Sequence, residues 1–192
     1  MISSRPLSSS LIVGGLAVLL FAASAGAQGD PRVGLKAGVQ DAGEALRHME
    51  LVAHRPKADG FSNASEPGDF AFANSDLAFN RKYVFQGGYH GIQVWDIADP
   101  RAPKIRATLS CPGGQGDVSV YRNLLFMSVE QPSARIDCGA QAVTDTVSSE
   151  RFLGVRIFDI TNIDAPRQIA AVQTCRGSHT HTLLVDPKDS KN

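Results

Sequence analysis

Two stretches decide the reading of this chain: GIQVWDIADPRAPK at residues 91–104 and GVRIFDITNIDAPR at residues 154–167. Each opens on Gly, alternates through a short apolar run, ends in an aromatic residue followed by Asp-Ile, and closes a turn with Ala-Pro. Alternation of period two, as in Ile92 and Val94, predicts a strand packed in a sheet. Asp96 and Asp159 fall at equivalent places in the two copies, which assigns them to turn architecture: a short carboxylate accepts backbone N–H bonds from the turn that follows.

The match extends outward. With one extra residue, 105–111 corresponds to 169–175, and CPGGQGD (111–117) corresponds to CRGSHTH (175–181). Eight strands are predicted, at about 76–80, 82–86, 91–97 and 104–110 in the first unit and 117–121, 123–129, 152–160 and 167–174 in the second, with a third unit beginning at His181. Unit starts at Asp76, Asp117 and His181 are 41 and 64 residues apart, and the excess of 23 falls in an insertion over 130–151. That segment is rich in Ser, Thr, Ala and Asp and is predicted to be a long surface loop.

Four short strands recurring every 40 to 45 residues or so point to propeller blades. A two-sheet sandwich could use eight strands, but it would not need the same Asp-Ile and Ala-Pro turn in both halves. The expected fold is therefore all-β: an incomplete β-propeller with two four-stranded blades, about 76–110 and 117–174, plus the first strand of a third. The pattern Gly-x-x-[Val/Ile]-[Trp/Phe]-Asp-Ile-x-[Asp/Asn] followed by Ala-Pro resembles the LVIVD-repeat proteins, a family of secreted bacterial propeller-like proteins of mostly unassigned activity. The resemblance covers about residues 70–192. Trp95-Asp96 also matches the WD dipeptide of WD40 repeats, but Phe158-Asp159 replaces it in the second copy and no Gly-His pair opens either unit.

A ring of four to eight blades needs more chain than two blades supply, so the sequence is expected to be a fragment of a longer protein. Residues 28–69 are predicted to be a leader or linker. Within them 49–54 alternates like a blade's fourth strand, a candidate for ring closure, while Asp41-x-x-Glu44 suggests a short helix upstream.

The chain begins with a single Arg5, an apolar run from Leu11 to Ala23 and Ala25-Gly26-Ala27, the pattern of a secretory signal peptide over 1–27. Its apolar core is shorter than the roughly 20 residues a membrane span needs. The expectation is a secreted, periplasmic or cell-envelope protein with no membrane span after cleavage. Cleavage removes one Arg and no acid, leaving 18 basic and 19 acidic residues in a chain of 165, and nothing forms a basic stripe for nucleic acid. Cys111, Cys138 and Cys175 all survive cleavage, and one of them is left over from any single disulfide. Cys138 in the insertion could bridge to Cys111 or to Cys175.

Aligning the unit starts puts Asn74-Ser-Asp76, Gln115-Gly-Asp117 and His179-Thr-His181 in one register, polar-x-polar before an apolar strand. In a propeller these positions sit at one mouth of the central channel. Asp76, Asp117 and His181 should be neighbours in a polar ring, with Asn74, Gln115 and His179 above it. Imidazoles at His179 and His181, two apart on one face of an extended segment, could share a divalent transition metal such as zinc, copper or iron; His90 is a candidate third ligand. The plainer alternative is a solvated polar rim. Gly113-Gly-Gln-Gly116 is not followed by Gly-Lys-Ser/Thr and is no phosphate loop, and Gly-x-Ser-x-Gly, His-Glu-x-x-His and Cys-x-x-Cys are absent. Tyr89, Trp95 and Phe158 are expected to be packing residues. Two functions follow: a binding or scaffold module for a protein or small-molecule ligand, or an exported metal-dependent oxidoreductase or hydrolase.

Overall fold

A computed structural model describes residues 29–38 and 41–188; the expected signal peptide lies outside the described residues. The chain divides into two units, 1–45 and 46–192. In the first, the carboxylate of Asp41 is held by Lys36, and residues 41–45 form no helix. The expected capping box fails because its acid is engaged by a lysine behind it.

The second unit is all-β. Strands β1 (Asn74–Asn80), β2 (Tyr83–Gly88), β3 (Gly91–Asp96) and β4 (Lys104–Ser110) form one antiparallel sheet in sequence order, and β5 (Val118–Tyr121), β6 (Leu124–Val129), β7 (Gly154–Asp159) and β8 (Arg167–Gln173) form a second. The only helical piece among the described residues is a 3-10 turn at Phe70–Phe72. Neither sheet closes on itself.

Internal equivalence runs down to backbone detail. Both third-to-fourth strand pairs carry an irregularity at the same place, between Val94 and Trp95 and between Ile157 and Phe158. Both third strands start on a glycine with positive φ, and a Cβ there would lie 2.0 Å from a carbonyl of the neighbouring strand, Leu109 or Val172. Both first hairpins turn through an arginine in the left-handed region, Arg81 at φ 55° and Arg122 at φ 56°.

The two sheets share one core, which draws on Ala78, Phe85, Ile92 and Val94 from the first and Leu125, Met127 and Phe158 from the second. Each fully buried side chain of this size contributes about 1.5–3 kcal/mol relative to exposure. The packing is head to tail. Offsets of 41 and 63 residues match Ala78, Phe85, Ile92 and Val94 to Ser119, Phe126, Val155 and Ile157. The first set is buried under sheet two, while the matching set on sheet two is only half-buried. The same face is used once and left open once.

The other face of sheet one is covered by the chain preceding it. Gln93, 2% exposed, accepts from the backbone N–H of Ala58 at 2.8 Å and donates to Gln86 at 3.2 Å, and Phe61, three residues after Ala58, is buried. The last part of the expected linker therefore covers a sheet. By contrast 49–54 forms no strand: Met49, Leu51 and Val52 are exposed, and an extended segment becomes a strand only when another offers its N–H and C=O groups. Residues 181–186 likewise form no strand, because no described segment pairs with them.

The insertion has its own order. Ala134 and Phe152 pack with Val129 in a small second cluster, Val143 is buried, and Arg135 joins Asp137 and Glu150 at 2.7 and 2.8 Å. Cys138 is bonded to Cys111, closing 27 residues, and Cys175 is free and exposed. Among the described residues no helix is long and apolar enough to cross a membrane.

Candidate functional site

Asp117 stands between the other two members of the expected ring. Its carboxylate accepts the backbone N–H of His181 at 2.8 Å, lies 2.9 Å from His181 Nδ1, and shares a side-chain hydrogen bond with Asp76. Burial, followed by the neighbouring Asp76 carboxyl, raises the pKa of Asp117, while the His181 backbone and ring act in the opposite sense. His181 rests on the half-open face of sheet two. Its Nε2 is 2.7 Å from Ser119 Oγ and its Nδ1 2.8 Å from Ser128 Oγ, which in turn reaches Ser178 Oγ at 2.9 Å. These serines match Ala78 and Gly87 in sheet one. Small residues there let the sheets close; hydroxyls at the matching places hold an imidazole.

His179 points elsewhere. Its Nδ1 is 2.5 Å from Glu130 Oε2, while Glu130 Oε1 accepts a long 3.4 Å bond from the backbone N–H of Gln115. The two imidazoles of the expected chelate thus go to two different carboxylates, and both ring nitrogens of His181 already face protein partners. Asn74 enters only as the first residue of β1, opposite Gly88. His90 is packed between Phe61, edge-on at 5.1 Å, and Phe72, stacked at 4.8 Å, with Ser110 Oγ 3.1 Å from Nε2. Burial holds its imidazole below the usual pKa. It takes no part in a cluster with His179 and His181, and among the described residues no three His, Cys, Asp or Glu side chains are placed to hold a metal ion.

A cleft of ≈ 670 Å³ opens beside these residues, lined among others by Phe70, Tyr89, His90, Pro112, Glu130 and Pro132. It has the size of a small-ligand site. Several separate stretches of chain build it. The 3-10 turn, capped by Asp69 accepting from Ala71 N–H at 2.9 Å, places Phe70 against Tyr89 with ring centroids 4.4 Å apart. The Gly-rich turn after Cys111 binds the start of the insertion, the Gly113 carbonyl accepting from Glu130 and Gln131 N–H at 2.9 and 3.0 Å. Gly114, at φ 100°, also lines the cleft, and a Cβ there would meet Glu130 Cγ at 2.7 Å. The Cys111–Cys138 bond fixes two walls to each other, since Pro112 follows one cysteine and Ala140 lies two residues after the other.

Beneath that bond lies Arg156, fully buried. Its Nη1 reaches Cys111 Sγ and, at 3.0 Å, Cys138 Sγ; Nη2 donates to the Arg135 carbonyl; the guanidinium lies 5.5 Å from the Phe152 ring; and Nε has no partner. Burial without a contacting carboxylate pushes its pKa down to about 10.

Sequence reading did not single out Glu130, Phe70, Phe72 or Arg156. Glu130 lies 15 residues from Gln115 and 49 from His179, and the offset of 41 pairs it with Tyr89, a residue of different chemistry, so the repeat did not mark it as a carboxylate. No family model matches the chain, and no curated protein matches it.

Proposed function

We propose that this protein is an exported binding module of the blade-repeat type, similar to LVIVD-repeat proteins, whose two sheets are consecutive blades of a propeller. The head-to-tail packing supports the blade reading, because a face buried in one unit and half-open in the next is what a further blade would cover. The disulfide and the leader sequence support export to an oxidising compartment. Binding is carried by one observation: a cleft of ligand size with aromatic walls and a single carboxylate, its loops tied by the disulfide. Thermal-shift screening of the purified chain against small organic compounds tests it. Hits that vanish in Tyr89→Ala are expected; hits indifferent to that substitution, or none, would remove the cleft from consideration. Recovery of a chain beginning at Gln28 from the periplasm or medium is the expected result for export.

A second reading, an exported hydrolase, rests on the order Asp117, His181, Ser119, with 2.9 and 2.7 Å between successive partners. It ranks below the first because none of the three lines the cleft. Labelling of Ser119 by a fluorophosphonate would reverse that ranking. The metal-dependent form of this reading has its two histidines on separate carboxylates.

A further inference from the structure

From the charge and composition of the cleft we infer that its ligand is a small organic cation, an amine or quaternary ammonium carrying an apolar group. This rests on the cleft being the binding site. Among the described residues lining it there is one carboxylate, Glu130, and no Lys or Arg. A carboxylate or phosphate ligand would find no counter-charge on the walls and would face the repulsion of Glu130. A cation finds the reverse.

The carboxylate is also the right kind of partner. It can accept about four hydrogen bonds. Its Oε2 is occupied by His179, but among the described residues Oε1 carries only the 3.4 Å bond from Gln115 N–H. The Gly113 carbonyl fixes the Glu130 backbone through its N–H, the absence of a side chain at Gly114 leaves room for its Cγ, and His179 holds its Oε2. The cleft does not depend on rotation of a free side chain to present it.

The aromatic walls complete the site. Phe70 is 66% exposed although it is a large apolar residue, and it is tilted at 55° against Tyr89, so the pair offers π-faces rather than a closed stack. Aromatic faces attract ammonium groups, more strongly as water is excluded, while Pro112 and Pro132 supply rigid apolar surface for the rest of the ligand. Each element alone is ordinary; a carboxylate, open aromatic faces and no lysine or arginine among the described lining residues, with His90 buried between two phenylalanines, describe a cation site.

Isothermal titration calorimetry of the full chain with three probes of one shape tests this: benzyltrimethylammonium, benzyl alcohol and phenylacetate. The cation is expected to bind about tenfold or more tightly than the alcohol, and phenylacetate not at all. Glu130→Gln should remove the preference while retaining weak binding of the ring, and Tyr89→Leu should weaken all binding, with unchanged thermal unfolding showing that both variants are folded. Equal affinity for the three probes would leave the cleft a binding site and overturn the charge assignment. No binding of any probe, or binding unaffected by both substitutions, would overturn the cleft reading along with it.

Discussion

His181 Nδ1 lies 2.9 Å from Asp117 Oδ2, joining two residues 64 positions apart that the sequence pattern aligns with each other. Asp117 lies at the entry to sheet two and contacts Asp76 at the start of sheet one; His181 lies over sheet two. Asp117 therefore links the start of sheet one to the segment that follows sheet two.

Asp117 sets a pH dependence of stability. Its pKa in the fold lies above the ordinary 3.8, so its stabilising contribution is fully present below that value and is lost as pH rises through the elevated one. Asp117→Asn removes this titration. The difference in unfolding free energy between variant and wild type, from urea titrations at successive pH values from about 4 upward, should move in favour of the variant as pH rises. A difference that does not change with pH would show that Asp117 titrates normally.

The disulfide should be worth about 3–4 kcal/mol by the loop-entropy relation for the 27 residues it closes. Cys138→Ser is expected to lower stability by that order and to blunt ligand effects at the cleft, whose walls it ties. Peptide mapping without reduction should recover Cys111 linked to Cys138, and iodoacetamide should label Cys175 alone in the folded protein. A linked Cys138–Cys175 peptide would contradict the structure.

Arg156→Met should be neutral or stabilising. The guanidinium is buried beside sulfur atoms and a carbonyl with no carboxylate in contact and an unpartnered Nε, and replacing such a buried charge by an apolar chain of similar reach relieves its desolvation. Chemical denaturation decides it. A loss above about 2 kcal/mol would mean that the bonds to Arg135 and the sulfurs outweigh that cost.

Phe85 and Phe126 hold matching places on the two sheets, one 0% exposed and one half-buried. Phe85→Ala is expected to cost about 3–5 kcal/mol and Phe126→Ala distinctly less in this chain. If a further blade covers sheet two in a longer form of the protein, the two costs should converge there. Equal costs in this chain would show that the face of Phe126 is already fully packed.

The paired turns at residues 96–104 and 159–167 were enough to read eight strands in two sheets, since strand periodicity and turn chemistry are local and were written twice. The sequence pattern aligned Asp76, Asp117 and His181; the structure brings them together through Asp117, but His181 begins no strand. What the linear pattern could not carry was partnership. Whether His179 joins His181 or Glu130, whether Cys138 takes Cys111 or Cys175, and whether 49–54 or 181–186 become strands all depend on which backbone and side chains lie opposite. The cleft is the extreme case. Phe70, Tyr89, Pro112 and Glu130 come from a 3-10 turn, a hairpin, a Gly-rich turn and the start of an insertion, and although the unit offset of 41 links Tyr89 to Glu130, nothing in the pattern says that the four face one another. The linear sequence determines the strands, because each strand's pattern is its own; only tertiary structure decides the site, because its parts meet after long stretches of chain have folded back on themselves.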